Sequence, residues 1–308
     1  MKKLVRNTHR LKDFMRNDIW ELDLDKLSKA KARFVNYLKV ALITIRTFSS
    51  EKIGFQAVAL SFFSTMSVVP FVAVVFAVTG GLGLADKLTE FLYEYFNNSQ
   101  QIIDTILGFA QNIINTAQSS AMGLVSALLF VWIVIWMMMS VEKVFNNVWR
   151  VQKYRKLIKR LPVTLAMLLV SPFIVLVFFG GSVVYSHALN YLGLDVESFT
   201  VFKAILGWIL FGVVATLTFS AMYKFIPNAS VDYPNALRAA IFSGIAFTIM
   251  QYVYLETQVM VTRLNGIYGA FAAVPLFMIW INVGWFIILI GAELSYAFQH
   301  VDNYNIED

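Results

Sequence analysis

Six stretches of this 308-residue chain contain no Asp, Glu, Lys or Arg: 53–85, 105–141, 161–194, 204–223, 239–255 and 264–292. A helix that crosses a bilayer satisfies its own backbone hydrogen bonds and needs roughly 20 mostly apolar residues. Each stretch holds one such helix, with 239–255 drawing in flanking residues to reach that length. Apolar residues make up 58% of the chain and charged residues only 14%, against about 25% charged in an ordinary soluble domain. The pattern predicts an all-α membrane protein with six transmembrane helices. It excludes a disordered chain and argues against a soluble enzyme.

The positive charges orient the spans. The segment 1–52 holds 13 Lys and Arg, 142–160 holds seven, and 224–238 holds two, together 22. The alternate segments hold one each: Lys87, Lys203 and Arg263, together three. An excess of Lys and Arg marks cytoplasmic loops. The expectation is an inner-membrane protein with both termini in the cytoplasm. The net charge of +6 then belongs to loops beside the bilayer, where it meets anionic headgroups. That placement speaks against nucleic acid as a partner and for membrane lipids. No apolar core followed by a small-residue cleavage site occurs in the first 50 residues, so the first span is expected to serve as the insertion signal.

Three parts follow: a cytoplasmic segment 1–52, a six-span membrane domain 53–298, and an acidic cytoplasmic tail 299–308. Within the first, residues 26–46 read as an amphipathic helix. Leu27, Ala30, Phe34, Leu38, Leu42 and Ile45 recur at helical spacing, while Lys26, Lys29, Lys31 and Arg33 lie mostly off that stripe. Such a helix lies in the membrane surface or packs on the bundle, and the same apolar face would serve either role. Within the membrane domain, residues 86–118 form an outer amphipathic helical segment between spans one and two, with a break near Asn97-Asn98-Ser99. Its stripe includes Ile102, Ile106, Ile113 and Ile114, and its wet side includes Asp104 and Gln111. It caps helix ends or takes part in function.

Polar groups inside spans are costly and therefore informative. Span one carries Gln56, Ser61, Ser64 and Ser67; Gln56, Ser64 and Ser67 form a stripe toward other helices. Span five carries Ser243, Thr248 and Gln251, and span six carries Asn282. Carboxylates stand at span ends: Glu142, Glu256 and Glu293. Glu293 is expected to face the bundle interior and meet Lys143, Lys224, Arg238, Asn146 or Asn147. Candidate cavity or gate residues are Gln56, Ser64, Glu142, Asn146, Lys224, Arg238, Asn282 and Glu293. Each also has a plain structural reading as a helix-to-helix bond. Pro70, Pro172 and Pro275 predict bends in spans one, three and six.

Several of these pieces resemble the YihY/BrkB family of integral inner-membrane proteins. They are Ala59-Leu60-Ser61 with Ser67-Val68-Val69-Pro70, Glu142-Lys143-Val144-Phe145-Asn146-Asn147-Val148-Trp149, Tyr223-Lys224-Phe225-Ile226-Pro227, and Tyr268-Gly269-Ala270 with Trp280 and Gly291-Ala292-Glu293-Leu294. The resemblance covers about residues 35–298. It implies six spans with both termini inside, and for some members a link to lipid or envelope transport. A ribonuclease label has also been attached to the family.

The residues do not suit that label. Phosphodiester hydrolysis by metals needs clustered ligands. His9, His187 and His300 are scattered, and the chain has no cysteine. No Gly-x-x-x-x-Gly-Lys loop or Gly-x-Ser-x-Gly elbow occurs. No cofactor is implied. The expectation is a non-enzymatic transporter or exporter of a lipid or other amphiphile, because an ion path would carry more intramembrane charge. The alternative is a membrane scaffold or envelope-assembly factor acting through protein partners. A polar cavity lined by Gln56, Asn282 and Glu293 would favour transport.

Overall fold

The computed structural model describes residues 19–22, 27–50, 52–81, 83, 85–95, 121–152, 162, 200–263 and 266–303, with 104, 107–109, 111–113, 115 and 116 between them. Among the described residues all regular structure is helical. After a single turn at Ile19–Glu21 come α1 (Lys29–Ser50), α2 (Ile53–Gly81), α3 (Ala85–Tyr95), α4 (Ala121–Val148), α5 (Thr200–Phe225), α6 (Tyr233–Arg263) and α7 (Gly266–His300), closed by a 3-10 turn at Val301–Asn303.

Four of these helices contain stretches long and apolar enough to cross a membrane: Gly123–Val148, Ile205–Phe225, Tyr233–Thr257 and Pro275–His300. The fifth candidate is α2, whose arms Ile53–Val68 and Pro70–Phe76 meet at 53°. Pro70 sits at the joint, where its ring removes a backbone hydrogen bond and crowds the preceding turn. These five correspond to the predicted spans one, two, four, five and six. The third predicted span, 161–194, with Pro172, lies outside the described residues apart from Pro162, as does the basic stretch 153–160.

The hub is α7, which packs on α6, α2, α1, α4 and α5. The main core lies at one end of the bundle, where α4 and α5 finish, α2 and α6 begin, and α7 ends. It is built from Ala57, Leu60, Phe145, Trp149, Phe219, Tyr223, Ala236, Ala240, Leu289 and Tyr296, among others. Small residues set the helix spacing. A Cβ on Gly244 of α6 would lie 2.2 Å from Thr216 Oγ1 of α5, so only glycine permits this approach.

The packing of α1 differs from the sequence expectation in an instructive way. Its bundle side is Val40, Ile43, Thr44 and Thr47, all buried. Val40 and Ile43 pack with Ala297 and Val301 at the end of α7. The predicted stripe points the other way: Phe34 is 70% exposed and Ile45 69%. At 100° per residue, positions 34 and 45 fall roughly opposite position 43. One face therefore does not serve two roles; the helix has two apolar faces. Nor does α1 cross α7 at a right angle. Tyr37 meets the Phe298 ring at 5.8 Å and Phe48 meets Phe286 at 5.9 Å. Those contacts are eleven residues apart on α1 and twelve on α7, or about 17 and 18 Å along each axis. The two helices run side by side in opposite directions.

The opposite end of α2 carries α3. Leu88 of α3 is buried with Val75, Phe76 and Leu107, and Ile113 packs partly against the same cluster. Asp104 and Gln111 are exposed, as the stripe predicts; Ile102, Ile106 and Ile114 lie outside the described residues. Tyr93 donates a hydrogen bond to Asp104 Oδ1, which ties α3 to the segment that follows it. That phenol is held above its ordinary pKa, first by this bond and then by desolvation and the nearby carboxylate.

Candidate functional site

The polar side chains of the spans gather along α7. Steps of three and four residues place Asn282, Trp285, Leu289, Glu293, Tyr296 and His300 on one face. Its upper part meets α2. Asn282 Nδ2 donates to Ser61 Oγ at 3.2 Å, and Trp285 Nε1 donates to Ser64 Oγ at 2.8 Å. Its lower part meets α4. Trp149 packs edge-on against Tyr296 at 5.6 Å and lies 5.9 Å from the His300 ring. Between the two parts Glu293 is completely buried. A carboxylate there leaves water entirely, which costs several kcal/mol before any pairing.

A second row lies on α4. Glu142, Phe145, Asn146 and Trp149 share a face by the same spacing, and all four are buried. Asn146 Oδ1 accepts the backbone N–H of Asn228 at 2.7 Å, so a buried amide of α4 anchors the loop between α5 and α6. That loop is held from two further sides. Lys224 donates to the Val231 carbonyl. Gln299 of α7 accepts the Asp232 N–H at 2.8 Å and donates to the Ser230 carbonyl at 2.9 Å.

The predicted residues therefore divide. Ser64, Asn282, Glu142, Asn146 and Glu293 lie on packed inner faces, and Gln56 is half-buried on the side of α2 that also carries Ser67. Ser67 Oγ contacts Met137 Sδ of α4 at 3.0 Å. Arg238 and Lys143 are exposed on the surface, and the Lys224 ammonium is engaged by the loop. These three cations are not drawn into the α4–α7 face.

A cation passed over in the sequence lies closer. Arg150 caps α4 with its φ at 50°. Its N–H bonds the Asn147 carbonyl, and the Val151 N–H bonds that of Asn146, the pattern of a Schellman cap in which glycine is usual. Its guanidinium lies 5.0 Å from the Tyr296 ring and donates to Thr47 Oγ1 at 3.3 Å. It thus joins α4, α7 and α1 one turn from Glu293. Arg150 had served only as one of seven charges that fix topology, and nothing in its spacing singles it out.

A third contact is also unpredicted. The fully buried Tyr223 donates to Ser243 Oγ at 2.9 Å, and Ser243 donates on to the Ala239 carbonyl at 3.1 Å. Gly291 of α7 closes over this pair. Its missing Cβ would fall 1.9 Å from Ser243 Oγ and 2.1 Å from the Tyr223 hydroxyl. Among the described residues no group of three His, Cys, Asp or Glu is arranged to hold a metal ion.

Long apolar helices locked by sparse polar contacts, with carboxylates and an amide buried near one end, define a polytopic helical membrane protein. The model of the family "Virulence factor BrkB" matches residues 44–308, and the chain belongs to that family. Relatives are named UPF0761 membrane proteins. One from Paraburkholderia xenovorans is 30% identical over 271 residues, covering 84% of this chain and 59% of its own. One from Vibrio vulnificus is 26% identical over 282 residues, covering 90% and 86%. One from Janthinobacterium sp. is 26% identical over 260 residues, covering 82% of this chain and 58% of its own. The chain thus spans little more than half the length of several curated relatives it matches. No solved structure matches it significantly.

Proposed function

We propose that this protein resides in the bacterial inner membrane with both termini in the cytoplasm, and that it moves or exports a lipid or other amphiphile without catalysing a reaction. The observation that carries this reading is the polar line through the bundle. Its members are Ser67, Ser64 and Ser61 of α2, the last two bonded to Trp285 and Asn282 of α7, with buried Glu293 farther along α7 and buried Asn146 and Glu142 on α4. Hydroxyls and amides suit a headgroup passing between helices, whereas the tails stay in lipid. The split of Lys and Arg, 22 against three, supports the orientation. The bend at Pro70 supplies a joint in the helix that lines the path.

The second reading is a membrane scaffold or envelope-assembly factor. It draws on the same contacts, because Ser61, Ser64, Asn282 and Trp285 are bonded to one another and so serve packing. Proteoliposomes containing headgroup-labelled phosphatidylethanolamine or phosphatidylglycerol separate the two. Transport predicts protein-dependent movement of label between leaflets that Asn282→Leu abolishes in a folded protein. Movement no faster than in protein-free vesicles, for both lipids, favours the scaffold.

A further inference from the structure

Trp149 and Trp285 are almost equally buried, 6% and 9% exposed, yet their indole N–H groups fare differently. That of Trp285 donates to Ser64 Oγ. That of Trp149 is buried with no acceptor among the described residues. Two neighbours share its condition. Asn146 Nδ2 and Arg150 Nε are buried without an acceptor, although Asn146 Oδ1 and another nitrogen of the Arg150 guanidinium are engaged. Positions 146, 149 and 150 fall on one side of the end of α4. A buried donor left without a bond is costly, so three within one turn call for a common partner.

The wall opposite follows from the register of α4 and α7. Both helices touch α2, through Met137 at Ser67 and Trp285 at Ser64, and both run from there to the contact of Trp149 with Tyr296. That path is 12 residues on α4 and 11 on α7, or about 18 and 17 Å. The two helices are therefore parallel and in step. Asn146 and Glu293 each precede the contact by three residues and stand at one height on facing sides. Wholly buried Glu293 thus borders the donors, with buried Glu142 one turn farther back along α4.

We propose that a small cluster of internal water molecules binds here, accepting hydrogen bonds from Trp149 Nε1, Asn146 Nδ2 and Arg150 Nε and donating toward Glu293. The two walls select the occupant. An anion would face two buried carboxylates, and a cation would face three N–H groups and a guanidinium. A neutral molecule that both accepts and donates suits both walls. Water is the smallest such molecule, and a buried water makes about three hydrogen bonds. Arg150 and His300 are only half-buried, so the site lies one side chain beneath the aqueous phase at this end of the bundle, and the cluster brings solvent to Glu293. The inference rests on neither the transport reading nor the scaffold reading.

X-ray radiolysis makes hydroxyl radicals from water where it stands, bound or bulk, and mass spectrometry reads the side chains they oxidise. In the full chain held in nanodiscs, Trp149 should be oxidised several times faster than Trp285, although it is the less exposed of the two. Tyr296, beside the same cluster, should likewise outpace Tyr223, which is fully buried and bonded to Ser243. A radical scavenger dissolved in the bulk should leave the Trp149 rate nearly unchanged while suppressing oxidation of Tyr233, which is 45% exposed at the start of α6. A Trp149 rate no higher than that of Trp285 overturns the proposal. Loss of Trp149 oxidation in step with Tyr233 under the scavenger reports contact with bulk solvent only and overturns it too. Oxidation of Trp149 that appears only after bound lipid is stripped away assigns the three donors to a lipid headgroup and overturns it as well. None of these results bears on leaflet-to-leaflet movement of label.

Discussion

The Tyr223 hydroxyl occupies the space that a side chain on residue 291 would fill, 2.1 Å from where its Cβ would stand. Three helices meet there. Tyr223 rises from α5 and donates a hydrogen bond to Ser243 of α6, and Gly291 brings the backbone of α7 down on both. In a membrane, where apolar surface drives little helix association, such close approach and a hydrogen bond are the means of holding helices together. Two turns of α7 below this point lie Gln299 and its bonds to the α5–α6 loop. The junction thus fixes the height of α7 relative to α5 and α6, and with it the height of Glu293.

Gly291→Ala should lower stability by about 1–3 kcal/mol, the usual cost of forcing extra volume into a packed core. Tyr223 is fully buried and cannot swing away. Ser243→Ala in the same chain removes the nearer atom, at 1.9 Å, so the double variant should recover part of the loss. Thermal unfolding in detergent reads both effects. Strictly additive losses would show that the two residues do not share this contact.

Arg150 adopts a backbone conformation that disfavours a side chain, at φ 50°, and retains it through contacts with Tyr296 and Thr47. Arg150→Ala loses those contacts and keeps the strain. Arg150→Gly loses the contacts but relieves the strain, which is worth about 1–2 kcal/mol. The glycine variant should therefore unfold at the higher temperature of the two, with the native chain above both. An alanine variant as stable as the glycine variant would deny any strain at this cap.

The sequence carried the large features because each rests on many residues. Five of the predicted spans coincide with helices α2, α4, α5, α6 and α7, since a run of 20 uncharged apolar residues has few other structures open to it. Pro70 marked a bend because its effect is local. Which face of α1 packs inward was not legible. Both Val40-Ile43-Thr47 and Phe34-Leu38-Ile45 have helical spacing, and only the partner α7 decides between them. Glu293 was legible as buried, because charge in an apolar helix has to be sheltered, but its neighbours were not. Lys224, one of the cations expected to meet it, is engaged by the Val231 carbonyl, a contact set by the loop's path. The contact of Tyr223 with Gly291 was invisible for the same reason: it pairs residues 68 positions apart in a geometry no local pattern encodes.

Tyr93 offers a pH test outside the spans. Its phenol is raised above the ordinary 10.0 chiefly by the bond to Asp104. A raised pKa in the folded state means that the link between α3 and the following segment is intact below the unfolded value and lost as pH climbs through the folded one. Protection of α3 against hydrogen exchange should hold at pH 8–9 and fall above about pH 10. Asp104→Asn should bring the phenol back toward its ordinary value, visible as earlier tyrosinate absorbance in difference against the native chain. An unchanged titration in that variant would remove Asp104 as the cause.

Glu293 decides between the two readings of the polar line. It is wholly buried on α7 between the Trp285–Ser64 bond and the Tyr296–Trp149 contact, so both α2 and α4 would feel a change there. Glu293→Gln keeps the shape and much of the hydrogen bonding while removing the charge. If the carboxylate serves a cargo path, the variant should insert and unfold within a few degrees of the native chain yet move labelled phospholipid at least about tenfold more slowly, the effect of roughly 1.4 kcal/mol on a barrier. Glu293→Leu removes the polar atoms as well and should lose both properties. If the residue only braces helices, Glu293→Gln should melt markedly earlier, and a compensating stabilisation elsewhere in the bundle should restore whatever activity was lost. Recovery of transport along with stability would therefore eliminate a role for this carboxylate in the path, because a group that contacts the cargo cannot be replaced by a firmer fold.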